Sequence, residues 1–444
     1  MSESISNPST GVILASIVSQ GMTDEQNDAS VNELERLNET LGHQILGRFM
    51  QKKAGYGSPT VLGEGKLQEI AEFIFSLNEK GQRVHHIVFD RELSPLQSRN
   101  VESIVNEALS GMKAGFEVEV TDRTGIIIDI FSRHARTKQA RLQIEIARLK
   151  YISPRLRDKM EINGDRQAGG IGGKGAGETS MELKRRQLRD RLAQLRRELE
   201  GLEAENDNRR LKREAQSVAL VGYTNAGKSS LMKALTGGEI YVADQLFATL
   251  DVTTRQLDPA VTPTILVTDT VGFVQHLPHD LVASFKSTLA EVNLSDFLLQ
   301  VVDCSDPQFP VHMSTSESVL KELGVETEHM QTVFNKMDRL LPEQLAKLKQ
   351  DHPAAWFVAA VDPASTQWLR EQIIHFFESK QQTISVFISF SESKILGDIR
   401  KRAHFLSEVY DEHGTRAELL IKTPDLNRLK SLYPQIKFEE KKKG

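Results

Sequence analysis

Gly222, Gly227, Lys228 and Ser229 fall in the run GYTNAGKSS, between the apolar stretch Val218–Val221 and the helix-like stretch Leu231–Leu235. A glycine-rich turn from strand to helix points backbone N–H groups at phosphates, and here it comprises Gly222, Tyr223, Thr224, Asn225, Ala226, Gly227, Lys228, Ser229 and Ser230. Lys228 is placed to reach the terminal phosphates and Ser229 to hold Mg2+. DTVG follows the apolar run Ile265–Val267 and supplies Asp269, Thr270, Val271 and Gly272. The Asp269 carboxylate is a second Mg2+ ligand, acting through water, and the Gly272 N–H senses the terminal phosphate. NKMD then sets Asp338 to accept from the N1 and N2 groups of guanine, which adenine cannot offer, with Asn335 and Lys336 as buttresses. A buried acceptor left unpaired costs ~1–3 kcal/mol, so Asp338 predicts discrimination against ATP of about one to two orders of magnitude.

Between these motifs lies LFATLDVTTR (Leu246–Arg255). Thr249, 21 residues after Lys228, is the first choice as the Mg2+ ligand of this loop, with Thr253 and Thr254 as competitors. The expected catalytic set is Lys228, Thr249 and Gly272, and the expected metal set is Ser229, Thr249 and Asp269. Four motifs in this order predict a guanine-nucleotide hydrolase. The usual Ser-Ala of a fifth motif is replaced by Ala359–Ala360, which keeps a backbone N–H for the guanine oxygen and loses the hydroxyl. Phe273 stands where many GTPases carry a water-orienting glutamine, so intrinsic hydrolysis is expected to be slow and to need a partner or ion. The carboxamide of Asn225 either coordinates K+ against the phosphates or caps the loop.

The 444 residues exceed what a single core normally serves, which predicts several domains. One cysteine, Cys304, excludes an internal disulfide and fits a reducing cytosol. No apolar stretch approaches a membrane span, and a basic-then-apolar secretory pattern is lacking, so the expectation is a cytoplasmic protein. Net charge is −5, yet Arg123–Arg197 carries 19 Lys and Arg against 8 Asp and Glu. A basic middle in an acidic chain fits either a polyanion-facing element or a solvated helical pair.

The expected fold is α/β, with an N-terminal parallel-sheet domain, a helical hairpin linker, a doubly wound phosphate-loop domain and a small C-terminal α/β unit. Residues 1–30 read as a flexible segment, with Val12–Val18 as a short apolar run. Residues 31–136 read as an α/β nucleotide-binding-like domain, with strands at Ile45–Phe49, Val84–Phe89, Phe116–Val120 and Ile126–Ile130 and helices at Gly65–Leu77 and Pro95–Leu109. Residues 137–214 form the hairpin: a helix over Thr137–Tyr151 breaks near Pro154, and a loop spans Gly169–Ser180. Leu188, Leu192, Leu195, Leu199 and Leu202 then recur at spacings of 4, 3, 4 and 3. Residues 215–381 hold five parallel strands of the nucleotide domain. Residues 382–444 read as a strand at Ile384–Phe390, a helix at Lys394–Tyr410 and a strand at Ala417–Ile421.

These residues together resemble the HflX family of ribosome-associated GTPases. GYTNAGKS, LFATLDVTTR, DTVGFVQHLP and NKMD look like its nucleotide motifs. LSPLQSRN (Leu93–Asn100), VTDRTGIIIDIFSRHART (Val120–Thr137), YISPRL (Tyr151–Leu156) and GGIGGKGAGET (Gly169–Thr179) look like its N-terminal and linker blocks. The likeness spans roughly Val31–Gln381. It departs at the fifth motif, at Gly111–Gly115 and at ETSMELKRR, where the family tends to have glutamine-leucine. The resemblance implies GTP and GDP as ligands and binding to the 50S ribosomal subunit and its rRNA. It also implies splitting of idle or stalled ribosomes, and an N-terminal domain that takes nucleotide, including ATP, in some relatives. Lys174, Lys184, Arg185, Arg186 and Arg189 are then the candidate RNA contacts, on a chain expected to be monomeric.

Two readings from other classes stand beside this one. A regulatory binder would recruit a protein through the hairpin seam, which does not call for a basic tip. A tRNA-modifying GTPase would need a carrier or cofactor domain, and none is legible. If Asn225 holds K+, GTP turnover will be faster in KCl than in NaCl at equal ionic strength; equal rates would leave Asn225 as a cap.

Overall fold

The computed structural model of the chain describes residues 10–18, 21, 23–52, 57–167, 174–210, 215–237, 246–247, 253–261, 264–277 and 290–440, with backbone alone across 156–167 and 174–182. The described residues fall into two compact units. One comprises those of Met1–Asp207, Ala243–Asp251 and Gly272–Thr288; the other comprises those of Asn208–Val242, Val252–Val271 and Leu289–Gly444.

In the first unit, strands β1 (Gly11–Val18), β2 (Gln44–Lys52), β3 (Val84–Phe89) and β4 (Glu119–Asp122) form a parallel sheet in the order β2-β1-β3-β4. The apolar run taken for part of a flexible segment is therefore a central strand. All of GVILASIV except Val18 is buried, because a parallel strand covered on both faces reads as an unbroken apolar run. Helix α1 (Asp24–Thr40) opens on a reciprocal cap between Thr23 and Gln26. Helices α2 (Glu64–Glu79) and α3 (Pro95–Gly111) cover the sheet, the latter capped by Ser94 and Gln97 with Pro95 in its first turn.

Two strand expectations fail here. The fourth strand is Glu119–Asp122 rather than Phe116–Val120, and Ile126–Ile130 lies inside helix α4 (Arg123–His134). Asp122 decides the second case. Its carboxylate caps α4 by accepting from the Gly125 amide at 3.0 Å, turning the chain into a helix despite three consecutive isoleucines. The same carboxylate accepts from the Leu93 amide (2.9 Å), the Tyr151 hydroxyl (2.9 Å) and the Arg155 guanidinium (2.8 Å). Burial pushes this carboxyl upward and Arg155 pulls it back down. Next to it Arg123, also buried, pairs with Glu33 and Asp90 at 2.5 and 2.6 Å.

Helix α5 (Lys138–Gln167) runs through Pro154 instead of breaking there, and helix α6 (Lys174–Arg210) already includes Lys174–Ser180. The expected loop thus gives way to helix from Lys174 onward, and its part at 169–173 lies outside the described residues. Leu142, Ile146 and Leu149 of α5 pack on Leu192, Leu195, Leu199 and Leu202 of α6, which makes the leucine seam the inside of the hairpin.

In the second unit, β5 (Gln216–Gly222), β6 (Thr253–Gln256), β7 (Ile265–Asp269), β8 (Phe297–Asp303), β9 (Met330–Asn335) and β10 (Trp356–Phe357) form a sheet in the order β10-β9-β8-β5-β7-β6. All pairs are parallel except β6 with β7. The antiparallel edge β6 holds Thr253 and Thr254, which were expected in a loop; the Thr254 hydroxyl lies 3.1 Å from that of Thr268. A separate antiparallel sheet runs β12 (Ala403–Tyr410), β13 (Gly414–Ile421), β11 (Gln382–Ser389) and β14 (Phe438–Glu440). The helix expected over Lys394–Tyr410 ends at Arg400, and its second half is β12, paired along β13. The pattern of Ala403–Tyr410 serves a strand once β13 is beside it.

Replacing Asp122 by alanine removes the α4 cap and strands the Arg155 charge. Breaking a buried pair in this way costs about 3–5 kcal/mol, so Asp122→Ala is expected to lower the urea midpoint of the first unit strongly. An unchanged midpoint would show that the carboxylate is dispensable there.

Candidate active site

The phosphate loop of the second unit starts at the end of β5 and feeds helix α7 (Lys228–Thr236). Both glycines at its ends are required by their neighbours. Gly222 has φ +146°, and a Cβ there would lie 2.2 Å from the carbonyl oxygen of Val301 on β8. Gly227 has φ +92°, and its Cβ would lie 2.2 Å from the carboxamide nitrogen of Asn335. Asn225 between them is left-handed at φ +58°.

Lys228 is buried, and its ammonium donates to the carbonyls of Gly222 (3.0 Å) and Tyr223 (2.7 Å). Burial lowers its pKa to about 8, with Asp269 acting in the opposite direction. The Ser229 hydroxyl donates to the Asp269 carboxylate at 2.7 Å, so two of the three residues expected to hold Mg2+ meet. A hydroxyl beside a carboxylate is an all-oxygen donor pair that suits Mg2+. Thr249, the third, lies outside the described residues. Thr270 donates to the Leu220 carbonyl at 2.7 Å and anchors the strand end, while Val271 and Gly272 are buried. Thr224 is buried with no hydrogen-bond partner for its hydroxyl among the described residues, Ala226 is buried, and Ser230 lies half-buried in the first turn of α7.

The guanine motif ends β9. The carboxamide of Asn335 donates to the Ala226 carbonyl at 3.0 Å and accepts from the Ala360 amide at 3.1 Å. Lys336, left-handed at φ +62°, donates to the Asn225 carbonyl at 2.8 Å and pairs with Asp303 at 2.7 Å. Asp338 sits exposed in a short 3-10 turn, open to a base. The amides of Ala359 and Ala360 are both taken, the first by Ser365 at 2.9 Å and the second by Asn335. Cys304 is buried and donates its S–H to the Asn335 carbonyl at 3.0 Å, and burial pushes its thiol up to about 12.

Three residues that bear on this loop are absent from the sequence-derived set. Asp303 holds Lys336, and the ring of His312 stacks on Tyr223 at 3.9 Å with Asp306 at 3.9 Å from its Nδ1. The only sequence signal is the acidic pair in DCSDP, which starts on the last residue of β8.

Phe273 is fully buried in the first unit, where Phe247 also packs edge-on against Phe131 at 4.6 Å. The candidate RNA contacts follow α6 in that unit. Lys184, Arg186 and Arg189 are exposed, Arg185 is half-buried, and Arg186 lies 3.9 Å from Asp190. The side chain of Lys174 lies outside the described residues. Arg155 braces the hairpin base by donating to the Asp122 carboxylate and the Leu93 carbonyl.

The chain resembles known proteins along most of its length. Three family profiles match it in succession: "GTP-binding GTPase N-terminal" over residues 28–132, "GTP-binding GTPase Middle Region" over 134–213 and "50S ribosome-binding GTPase" over 217–336. The GTPase HflX of Gluconacetobacter diazotrophicus is 40% identical over 94% of this chain and 96% of its own length. That of Escherichia coli is 38% identical over 72% and 71%. Among solved structures, a GTP-binding protein from Sulfolobus solfataricus in complex with GDP aligns with a TM-score of 0.41 at 22% identity, covering 82% of this chain and 97% of that one. At 40% identity over 94% of its length with the first of these relatives, the chain belongs to the HflX family of GTPases.

Proposed function

We propose that the chain hydrolyses GTP to GDP with Mg2+ at the Lys228–Ser229–Asp269 site. In its GTP state it would engage the large ribosomal subunit through the basic hairpin and split or rescue idle or stalled ribosomes. The observation that carries the chemical half is the 2.7 Å bond between Ser229 and Asp269 beside a buried Lys228. The family and its "50S ribosome-binding GTPase" profile support the ribosomal half.

Lys228 leaves the carbonyls of Gly222 and Tyr223 and turns onto the terminal phosphates when GTP enters. Ser229 and Asp269 would hold Mg2+, which would supply charge neutralisation at the phosphates. Asp338 receives the guanine edge. With the Ala359 and Ala360 amides engaged, the guanine oxygen falls to the amide of Val361, next in the chain. Phe273 offers no group that orients water, so turnover waits on a partner that completes the site. Asn225 would either hold K+ in that role or cap the loop.

Purified 50S subunits are therefore expected to raise GTP turnover at least about tenfold, an effect that fades with salt because phosphate contacts are screened. No stimulation anywhere in a salt series would sink the ribosomal half. A second outcome follows from Lys228. Phosphates raise the pKa of its ammonium on binding, so the bound state holds more protons than the free protein above about pH 8. Affinity for GDP should then fall by about tenfold from pH 7 to pH 9. A flat titration profile would place the lysine's charge outside the binding step.

A further inference from the structure

We propose that His312 is a positioning residue for nucleotide binding: its ring, carried at a helix start shaped by Asp306 and stacked on Tyr223, fixes the phosphate loop in the conformation that receives the phosphates. The inference rests on the guanine-nucleotide reading of that loop.

Tyr223 occupies the second position of the loop and is buried. Its ring lies over that of His312 with centroids 3.9 Å apart and planes 11° from parallel. His312 belongs to the first turn of the helix Phe309–Glu322, whose start is shaped by Asp306: one carboxylate oxygen accepts from the Gln308 amide at 2.9 Å, the other lies 3.9 Å from Nδ1 of His312. An aliphatic side chain would fill the same space without being orientable. Asp306 fixes the start of the helix that carries the imidazole, and the parallel stack passes that position to the tyrosine ring.

Tyr223 is also where the loop's chemistry is aimed. Its carbonyl accepts from the Lys228 ammonium at 2.7 Å, so a shift of Tyr223 moves the resting place of the phosphate-binding lysine. Two residues on, the Asn225 carbonyl is held by Lys336, which is held in turn by Asp303; the other oxygen of Asp303 accepts from the amide and hydroxyl of Ser305 at 3.0 and 2.6 Å. The turn Asp303–Asp306 thus braces the loop at two points, one carboxylate acting through Lys336 and the other through His312. Between the two points lies Thr224, whose buried hydroxyl has no partner among the described residues. A loop with Asn225 in a left-handed conformation keeps that shape only where its surroundings impose it.

The test measures GDP and GTP binding by fluorescence of a labelled nucleotide, with thermal unfolding of the nucleotide-free protein in parallel. His312→Ala is expected to weaken both nucleotides by about tenfold, the upper range for loss of an aromatic stack, without altering the unfolding midpoint. His312→Phe keeps a ring over Tyr223 and should recover to within about threefold of wild type. Asp306→Asn should fall between the two. Combining Tyr223→Ala with His312→Ala should weaken binding no further than Tyr223→Ala alone, since each removes the same stack. Wild-type binding by His312→Ala, or no recovery in a folded His312→Phe, would overturn the proposal and leave the guanine-nucleotide reading intact. Failure of the wild-type protein to bind GDP would remove both.

Discussion

The carboxamide of Asn335 donates to the carbonyl of Ala226 and accepts from the amide of Ala360, and through it the phosphate loop, the guanine motif and the fifth segment hold one another. That arrangement is possible only because Gly227 has no side chain to collide with the carboxamide. The other end of the loop obeys the same rule, since the Val301 carbonyl occupies the space a side chain at Gly222 would need. Strands β8 and β9 therefore press on the loop that leaves β5, and the loop's conformation follows from the sheet order rather than from its own preference. Left-handed non-glycine residues cost about 1–3 kcal/mol each, and the loop carries that cost at Asn225 with Lys336 bonded to the residue's carbonyl.

This dependence on close backbone approach explains why the nucleotide site was legible in the sequence. Gly222, Gly227, Lys228, Ser229, Asp269 and Asn335 each answer a local demand that fixes residue type and spacing together, and the structure brings them to one end of one sheet. His312 answers no such demand; any residue able to stack on Tyr223 would serve, so its identity carries no signal until the helix Phe309–Glu322 is in place. The misread elements share a cause of another kind. Gly11–Val18 and Ile126–Ile130 are both apolar runs rich in β-branched residues, yet one is a strand and the other a helix. What separates them is Asp122, a buried cap whose carboxylate is bound from four directions, and periodicity contains no trace of that.

The hairpin illustrates a third limit. Its seam was legible because Leu192, Leu195, Leu199 and Leu202 must face α5, and Arg191 closes the outer edge on Glu145 at 2.8 Å. Its tip was not. Gly175 and Gly177 each cost about 1 kcal/mol in a helix relative to alanine, which argues for a loop, yet the chain is helical from Lys174. Continuity with a long helix outweighs that local penalty, since propagation adds one bond for each residue fixed. The consequence is an ordered backbone that carries Lys184, Arg186 and Arg189 on a continuous helix, with their side chains exposed.

Binding and hydrolysis are built differently in this chain. Among the described residues, those proposed to hold a triphosphate are tied to one sheet. The segment after Asp269 is another matter. Phe273 and Val274 are buried within the first unit, while His276, left-handed at φ +56°, is exposed. A phenylalanine there is a packing residue. A glutamine in its place would bury a carboxamide in an apolar setting, at about 1–3 kcal/mol if left unpaired, without presenting it to water. Glutamine at this position therefore presents no water-orienting group while the segment keeps this packing.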